Sequence, residues 1–226
     1  GQTLYDDCAL VVQGGQIAEI APLATVPPGM ATQALNGGVI APGFVDLQVN
    51  GGGGVMFNDD PGVATLARMA RAHAALGATA ILPTLITDTP AKTRAAIAAV
   101  RAAVAEGVAG IAGLHLEGPH LAPSRCGAHD PALIRPMEDA DLAELCAAAQ
   151  HVPVLMVTLA PESVTGAQIA RMAAAGIVIS LGHTDASFSD CATALSSGAA
   201  CVTHLFNAMR PLASRDPGTV GAALRL

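Results

Sequence analysis

No basic run appears anywhere in the 226 residues, which carry 11 Lys and Arg against 18 Asp and Glu for a net charge of −7. A nucleic-acid surface or an anionic membrane calls for the opposite sign, so neither is expected as a partner. CxxC pairs are missing too. The five cysteines, Cys8, Cys126, Cys146, Cys191 and Cys201, are odd in number and scattered. That argues against a zinc knuckle or a disulfide framework, and a reducing cytoplasm is the simplest setting. Apolar runs are broken by Pro or Gly well before a membrane-spanning length, so no transmembrane helix is expected. No signal-peptide pattern is present, although the chain opens at Gly1 without Met, which leaves a trimmed terminus open. The four glycines at 51–54 are followed by no Lys-Ser or Lys-Thr. They also lack the spacing of a dinucleotide fingerprint, so they do not form a phosphate loop of either kind.

What is present is apolar: 52% hydrophobic against 13% charged residues, a composition for a well-buried α/β domain with a small companion. Residues 1–42 read as short β structure, the amino-terminal part of a small β-sandwich-like domain. Strands at 8–13 and 16–20 flank Gly14-Gly15, a favourable hairpin turn, and Pro27-Pro28-Gly29 marks a loop. From 43 to 226 apolar strands alternate with Ala-rich helices. Strands are expected at 44–48, 79–85, 113–116, 154–159, 177–181 and 201–205. A first helix starts at Asp60-Pro61, buries Val63, Leu66, Ala67, Ala70 and Ala74 on one face, and stops at Gly77. Four more follow, at 92–105, 139–149, 163–175 and 187–196. Six β/α repeats favour a (β/α)8 barrel, and six units alone do not exclude an open doubly wound sheet. As a barrel it is incomplete: the chain ends about twenty residues past strand six, before strands seven and eight.

In such barrels the chemistry lies at the carboxyl ends of the strands. Those ends present Gln48 and Asn50, Thr84, Glu117, His183 and His204 in turn. One carboxylate and two imidazoles, Glu117, His183 and His204, make a good divalent-metal set with positions left for water. The other histidines need less. His73 and His151 lie in or beside helices, where a hydrogen-bonded structural role is the default. His115 sits inside a strand, packed behind the site, and His120 fits no clear role. His129 lies in a long Pro-rich stretch after strand three, where loops often touch substrate. Arg215 stands among few other cations, and its guanidinium offers a bidentate fork to phosphate oxygens, although a surface turn residue would look the same.

Taken in order, Ala41-Pro-Gly-Phe-Val-Asp46, Gln48-Val-Asn-Gly-Gly52, His115-Leu-Glu-Gly-Pro119, Leu181-Gly-His-Thr184, Thr203-His-Leu-Phe-Asn-Ala-Met209 and Arg215-Asp-Pro-Gly218 closely resemble the N-acetylglucosamine-6-phosphate deacetylases of the amidohydrolase superfamily. The resemblance runs over essentially the whole chain. It implies a metal-dependent barrel with a small β domain, and hydrolysis of the acetamido group of N-acetylglucosamine 6-phosphate in amino-sugar breakdown. Alternatives are an amidohydrolase acting on a cyclic amide or an N-acyl amino acid, and a catalytically inactive metal- or sugar-phosphate-binding fragment. By the resemblance, Glu117, His183 and His204 hold one divalent ion per subunit, zinc first and iron or another ion next. Ala128, His129, Asn207, Ala208 and Arg215 contact the phosphosugar, with Arg215 on the phosphate and His129 polarising the acyl carbonyl. The resemblance also implies a homodimer. Its general-base Asp, after strand eight, is not within residues 1–226, and Asp185 and Asp216 do not match it. Gln48 and Asn50 stand where many amidohydrolases place His-x-His for a second metal. Amides are poor ligands there, so a single-metal site is expected, with the glycines at 51–54 as a loop that lets the backbone pass close to the mouth.

Overall fold

The computed structural model describes residues 3–226; Gly1 and Gln2 lie outside the described residues. It divides into two compact units between Pro42 and Gly43. The first unit holds an antiparallel pair, β1 (Cys8–Gln13) and β2 (Gln16–Pro22). Gly14 and Gly15 turn between them at φ +55° and +77°, the left-handed backbone that a two-residue hairpin requires.

The second unit is a β/α succession. It comprises β3 (Phe44–Val49), β4 (Gly51–Gly52), β5 (Val55–Met56), α1 (Val63–Ala74), β6 (Ala78–Ile86) and α2 (Pro90–Ala105). After these come β7 (Leu114–Glu117), α3 (Asp139–Ala148), β8 (Leu155–Leu159), α4 (Gly166–Ala174), β9 (Val178–Leu181), α5 (Phe188–Ser196), β10 (Cys201–Val202) and α6 (Gly218–Arg225). Local chemistry explains the helix starts. Thr89 caps α2 ahead of Pro90, and Ser187 with Asp190 forms a reciprocal capping box on α5, as Thr165 with Gln168 does on α4. The helix expected from Asp60 begins three residues later, capped by Gly62. Its buried face is Thr65, Leu66, Met69 and Ala70, so Met69 goes inward while Ala74 is exposed. The larger apolar side chain sets the face, and the alanines follow it.

Strand order separates the two architectures left open above. The six parallel strands run β3-β6-β7-β8-β9-β10, each hydrogen-bonded to the next in sequence. A doubly wound sheet reverses direction at a switch point; this one never does, as in a (β/α)8 barrel. The sheet is also strongly curled. In a flat sheet β7 and β10, three strand steps apart, would be about 14 Å from each other. Yet His204, just after β10, brings its Nε2 to 3.2 Å from Glu117 at the end of β7. The outward faces of the strands bury Leu85, Leu114, Leu116, Val157, Ile179 and Leu181 against the helices.

Inside the curl the filling is polar. Thr84 Oγ1 meets His115 Nδ1 at 3.1 Å, and His115 Nε2 meets Thr158 Oγ1 at 2.7 Å. The Thr203 hydroxyl then joins Thr158 at 2.6 Å and Ser180 at 2.7 Å. Burial pushes His115 down to about 4, so it serves as a neutral joint in this belt. The belt ties together β6, β7, β8, β9 and the end of β10, directly beneath the polar strand ends.

The glycine run is not a plain loop. Gly51 and Gly52 form β4, Gly53 and Gly54 make the turn at φ +63° and +81°, and the resulting small hairpin packs on α1. A side chain at Gly52 would come within 2.9 Å of the His73 ring, whose Nε2 contacts the Gly51 carbonyl at 3.0 Å. His73 therefore has the structural role expected of it, and the glycines are bare because the hairpin lies close against the helix.

Candidate metal centre

Glu117 ends β7, and its carboxylate is almost wholly buried. His183 follows β9 and His204 follows β10. Both adopt left-handed backbone, at φ +47° and +29°, a costly conformation for a residue with a side chain that turns each ring into the curl. One carboxylate oxygen, Oε1, faces both rings: His183 Nε2 and His204 Nε2 each lie 3.2 Å away, and the two nitrogens are 3.1 Å apart. Oε2 accepts a hydrogen bond from Gln48 Nε2 at 3.0 Å and faces His129 Nε2 at 3.8 Å.

These contacts bring together donor atoms that repel one another unless a proton or a metal ion lies between them. His183 Nδ1 lies 2.9 Å from the Arg125 carbonyl, which can only accept, so Nδ1 carries a proton. In the neutral ring Nε2 is then a lone pair aimed at a carboxylate oxygen and at a second imidazole nitrogen. Only a proton or a metal ion between them removes the repulsion. Tetrahedral donors at zinc bond lengths sit about 3.3 Å from one another, close to the observed separations. The residues therefore fit a metal. Burial alone would raise the Glu117 pKa, but the bonds to His183 and His204 hold the group well below the usual carboxylate range. The hydrogen bond to Glu117 raises His204, against the effect of its partial burial. His204 Nδ1 is buried without a partner among the described residues.

His129 completes the group. Its ring is 4.3 Å from that of His183, centroid to centroid, and burial pushes it down to about 4, so it is neutral at pH 7. A side chain at Gly127 would fall 3.2 Å from the His183 ring and 3.9 Å from Ala208, so the loop after β7 and the loop after β10 meet over His183. Ala128 and Asn207 are exposed beside these contacts in sequence, and Ala208 is half-buried. Arg215 is exposed on the segment before α6 and makes no hydrogen bond or ion pair among the described residues. His120 is a structural residue, buried with Nδ1 donating to the Arg135 carbonyl, and His151 is exposed. Gln48, read from sequence only as a poor ligand, is here a donor that orients Glu117. Thr87 escaped the reading because strand two continues to Ile86, which makes Thr87 the residue at its carboxyl end.

Comparison with known proteins agrees with this fold. Residues 39–224 match the family model described as "Amidohydrolase family". The N-acetylgalactosamine-6-phosphate deacetylase of Shewanella sp. (strain ANA-3) is 43% identical over 97% of this chain and 56% of its own length. The N-acetylglucosamine-6-phosphate deacetylase of Haemophilus influenzae is 36% identical over 98% of this chain and 59% of its own. Among solved structures, N-acetylglucosamine-6-phosphate deacetylase from Pasteurella multocida superposes with a TM-score of 0.94 at 38% identity, covering 99% of this chain and 58% of that one. The chain thus spans about half the length of the relatives it matches. With a singly wound parallel sheet, a Glu-His-His cluster at its strand ends and a family match over most of its residues, the chain belongs to the amidohydrolase family.

Proposed function

We propose that the protein of which these residues form a part hydrolyses the N-acetyl group of N-acetylglucosamine 6-phosphate, giving glucosamine 6-phosphate and acetate. The observation that carries this reading is the convergence of Glu117, His183 and His204 within hydrogen-bond distance of one another, with His129 alongside. The names of the relatives support the substrate class. The three residues would hold one divalent ion, zinc in our reading, which suits imidazole and carboxylate donors. Bound there, the ion would polarise the acyl oxygen and lower the pKa of the attacking water. His129 donates a hydrogen bond to the same acyl oxygen, Gln48 holds Glu117 in place, and Arg215 takes the phosphate while Ala128, Asn207 and Ala208 line the sugar. Water adds to the amide carbon, the C–N bond breaks, and the departing amine takes up a proton. We assign that proton transfer to an Asp outside residues 1–226. Asp185 is held by Arg125 at 2.6 Å, and Asp216 by Arg210 at 3.0 Å and by the Gly218 amide at 2.9 Å, which argues against either one. A cytoplasmic homodimer is part of the same reading.

Acetate release from the sugar phosphate by the full-length protein, with zinc added, is the direct test, and no turnover in a metal-loaded full-length preparation would overturn the proposal. Residues 1–226 alone are expected to bind the ion and release little or no acetate. One observation favours a second reading: the 43% identical relative bears the name of the galactosamine epimer. Comparing kcat/KM for the two 6-phosphates separates them. A phosphate-free N-acyl substrate turned over equally well, with Arg215→Ala leaving KM for the phosphosugar unchanged, would remove the phosphate role.

A further inference from the structure

Thr87 stands immediately after β6, buried, and turns both its amide and its hydroxyl toward His129. The amide N–H donates to His129 Nδ1 over 3.2 Å, and the hydroxyl oxygen lies 2.7 Å from the same nitrogen. That hydroxyl also reaches the Glu117 carbonyl at 3.3 Å, so its proton has two places to go. The amide proton has only one. With it aimed at Nδ1, that nitrogen must offer its lone pair, and in the neutral ring the proton then resides on Nε2. Nε2 is the nitrogen that faces Glu117.

We propose that Thr87 is a positioning residue whose backbone amide fixes His129 in the Nε2–H form, so that the ring faces the metal centre as a hydrogen-bond donor and not as a base. This rests on the reading of Glu117, His183 and His204 as that centre, and it narrows the ligand beside His129 to an oxygen acceptor such as an acyl carbonyl. The contrast with His183 carries the argument. There Nδ1 meets a carbonyl, from Arg125, and the lone pair is left on Nε2. Two buried rings with centroids 4.3 Å apart meet opposite backbone groups and so take opposite tautomers, one suited to a metal and one to an oxygen. Gly118 preserves the arrangement, since a side chain there would strike Thr87 Oγ1 at 2.2 Å.

Nitrogen-15 NMR of histidine-labelled protein at about pH 8, where unshifted rings are neutral, reads both tautomers in one spectrum. His129 should show a protonated Nε2 and a bare Nδ1; a proton on Nδ1 overturns the proposal. Thr87→Ser should give the same spectrum. Thr87→Val removes the hydroxyl and keeps the amide, so His129 should stay in the Nε2–H form. A switch to Nδ1–H in that variant would make the hydroxyl the deciding group and overturn the assignment to the amide. Should the valine variant fail to fold, the wild-type spectrum still decides. The metal reading is judged separately, from the His183 signal and its response to zinc, neither of which depends on Thr87.

Discussion

Glu117 divides its two oxygens between two tasks. Oε1 meets the paired imidazoles, while Oε2 is held by Gln48 and faces His129. Replacing Glu117 by Gln keeps the shape but removes the charge and one lone-pair set. Zinc affinity, measured by competition with a chromophoric chelator, should fall by more than about 100-fold, the upper end of losses seen for outer partners of a ligand. Unchanged affinity would remove Glu117 from the ligand set. The pH dependence follows from His204. Its pKa is raised above the ordinary 6.5 by the bond to Glu117, so without metal it contributes stability that is present below that value and lost as pH rises through the folded-state value. A metal must displace that proton. Zinc affinity should therefore decline as pH falls from about 8 to 6, with protons released on binding, which calorimetry in buffers of different ionisation heat would detect.

At the level of elements, the small hairpin of β4 and β5 shows why four glycines follow strand one. Gly52→Ala would press a methyl group to within 2.9 Å of the His73 ring, which can shift only by loosening its contact with Gly51. The cost should be about 1–2 kcal/mol, read as a lower denaturation midpoint at unchanged slope. Gly51→Ala should cost more, because the added carbon would meet the Val55 carbonyl oxygen at 2.4 Å, and backbone yields less than a ring. A neutral result at Gly52 would mean that the hairpin is not packed on α1 as described, and one at Gly51 that β4 and β5 are not paired as described.

Across the whole second unit, three strand ends from β7, β9 and β10 meet at one point because the sheet curls. A metal bound there cross-links elements that are far apart in sequence and should stabilise the fold. With free zinc at about 100 times its dissociation constant, mass action predicts a gain of about 2.7 kcal/mol. In a chain of this length that is a rise in Tm of roughly 5–10 °C, reversed by a chelator and absent in Glu117→Gln. Equal shifts in wild type and variant would mean that the ion binds elsewhere.

Period and punctuation make the β/α succession legible: the first five parallel strands of the second unit lie within about two residues of their expected bounds, and α2, α4 and α5 start within three residues of theirs. Glu117, His183 and His204 were legible as polar residues at apolar strand ends, since burying such groups without a partner is costly. The direction of the last strand's end was not, because His204, Phe206 and Ala208 all take positive φ, a conformation that no side chain prefers and only surrounding contacts impose. Nor was the work of Thr87 and of the Arg125 carbonyl. A residue's backbone N–H or C=O is the same in every sequence, and only the tertiary fold decides which of them meets a given imidazole nitrogen. Residue order by itself determined what could coordinate an ion. Folding decided which histidine offers it a lone pair and which presents a proton.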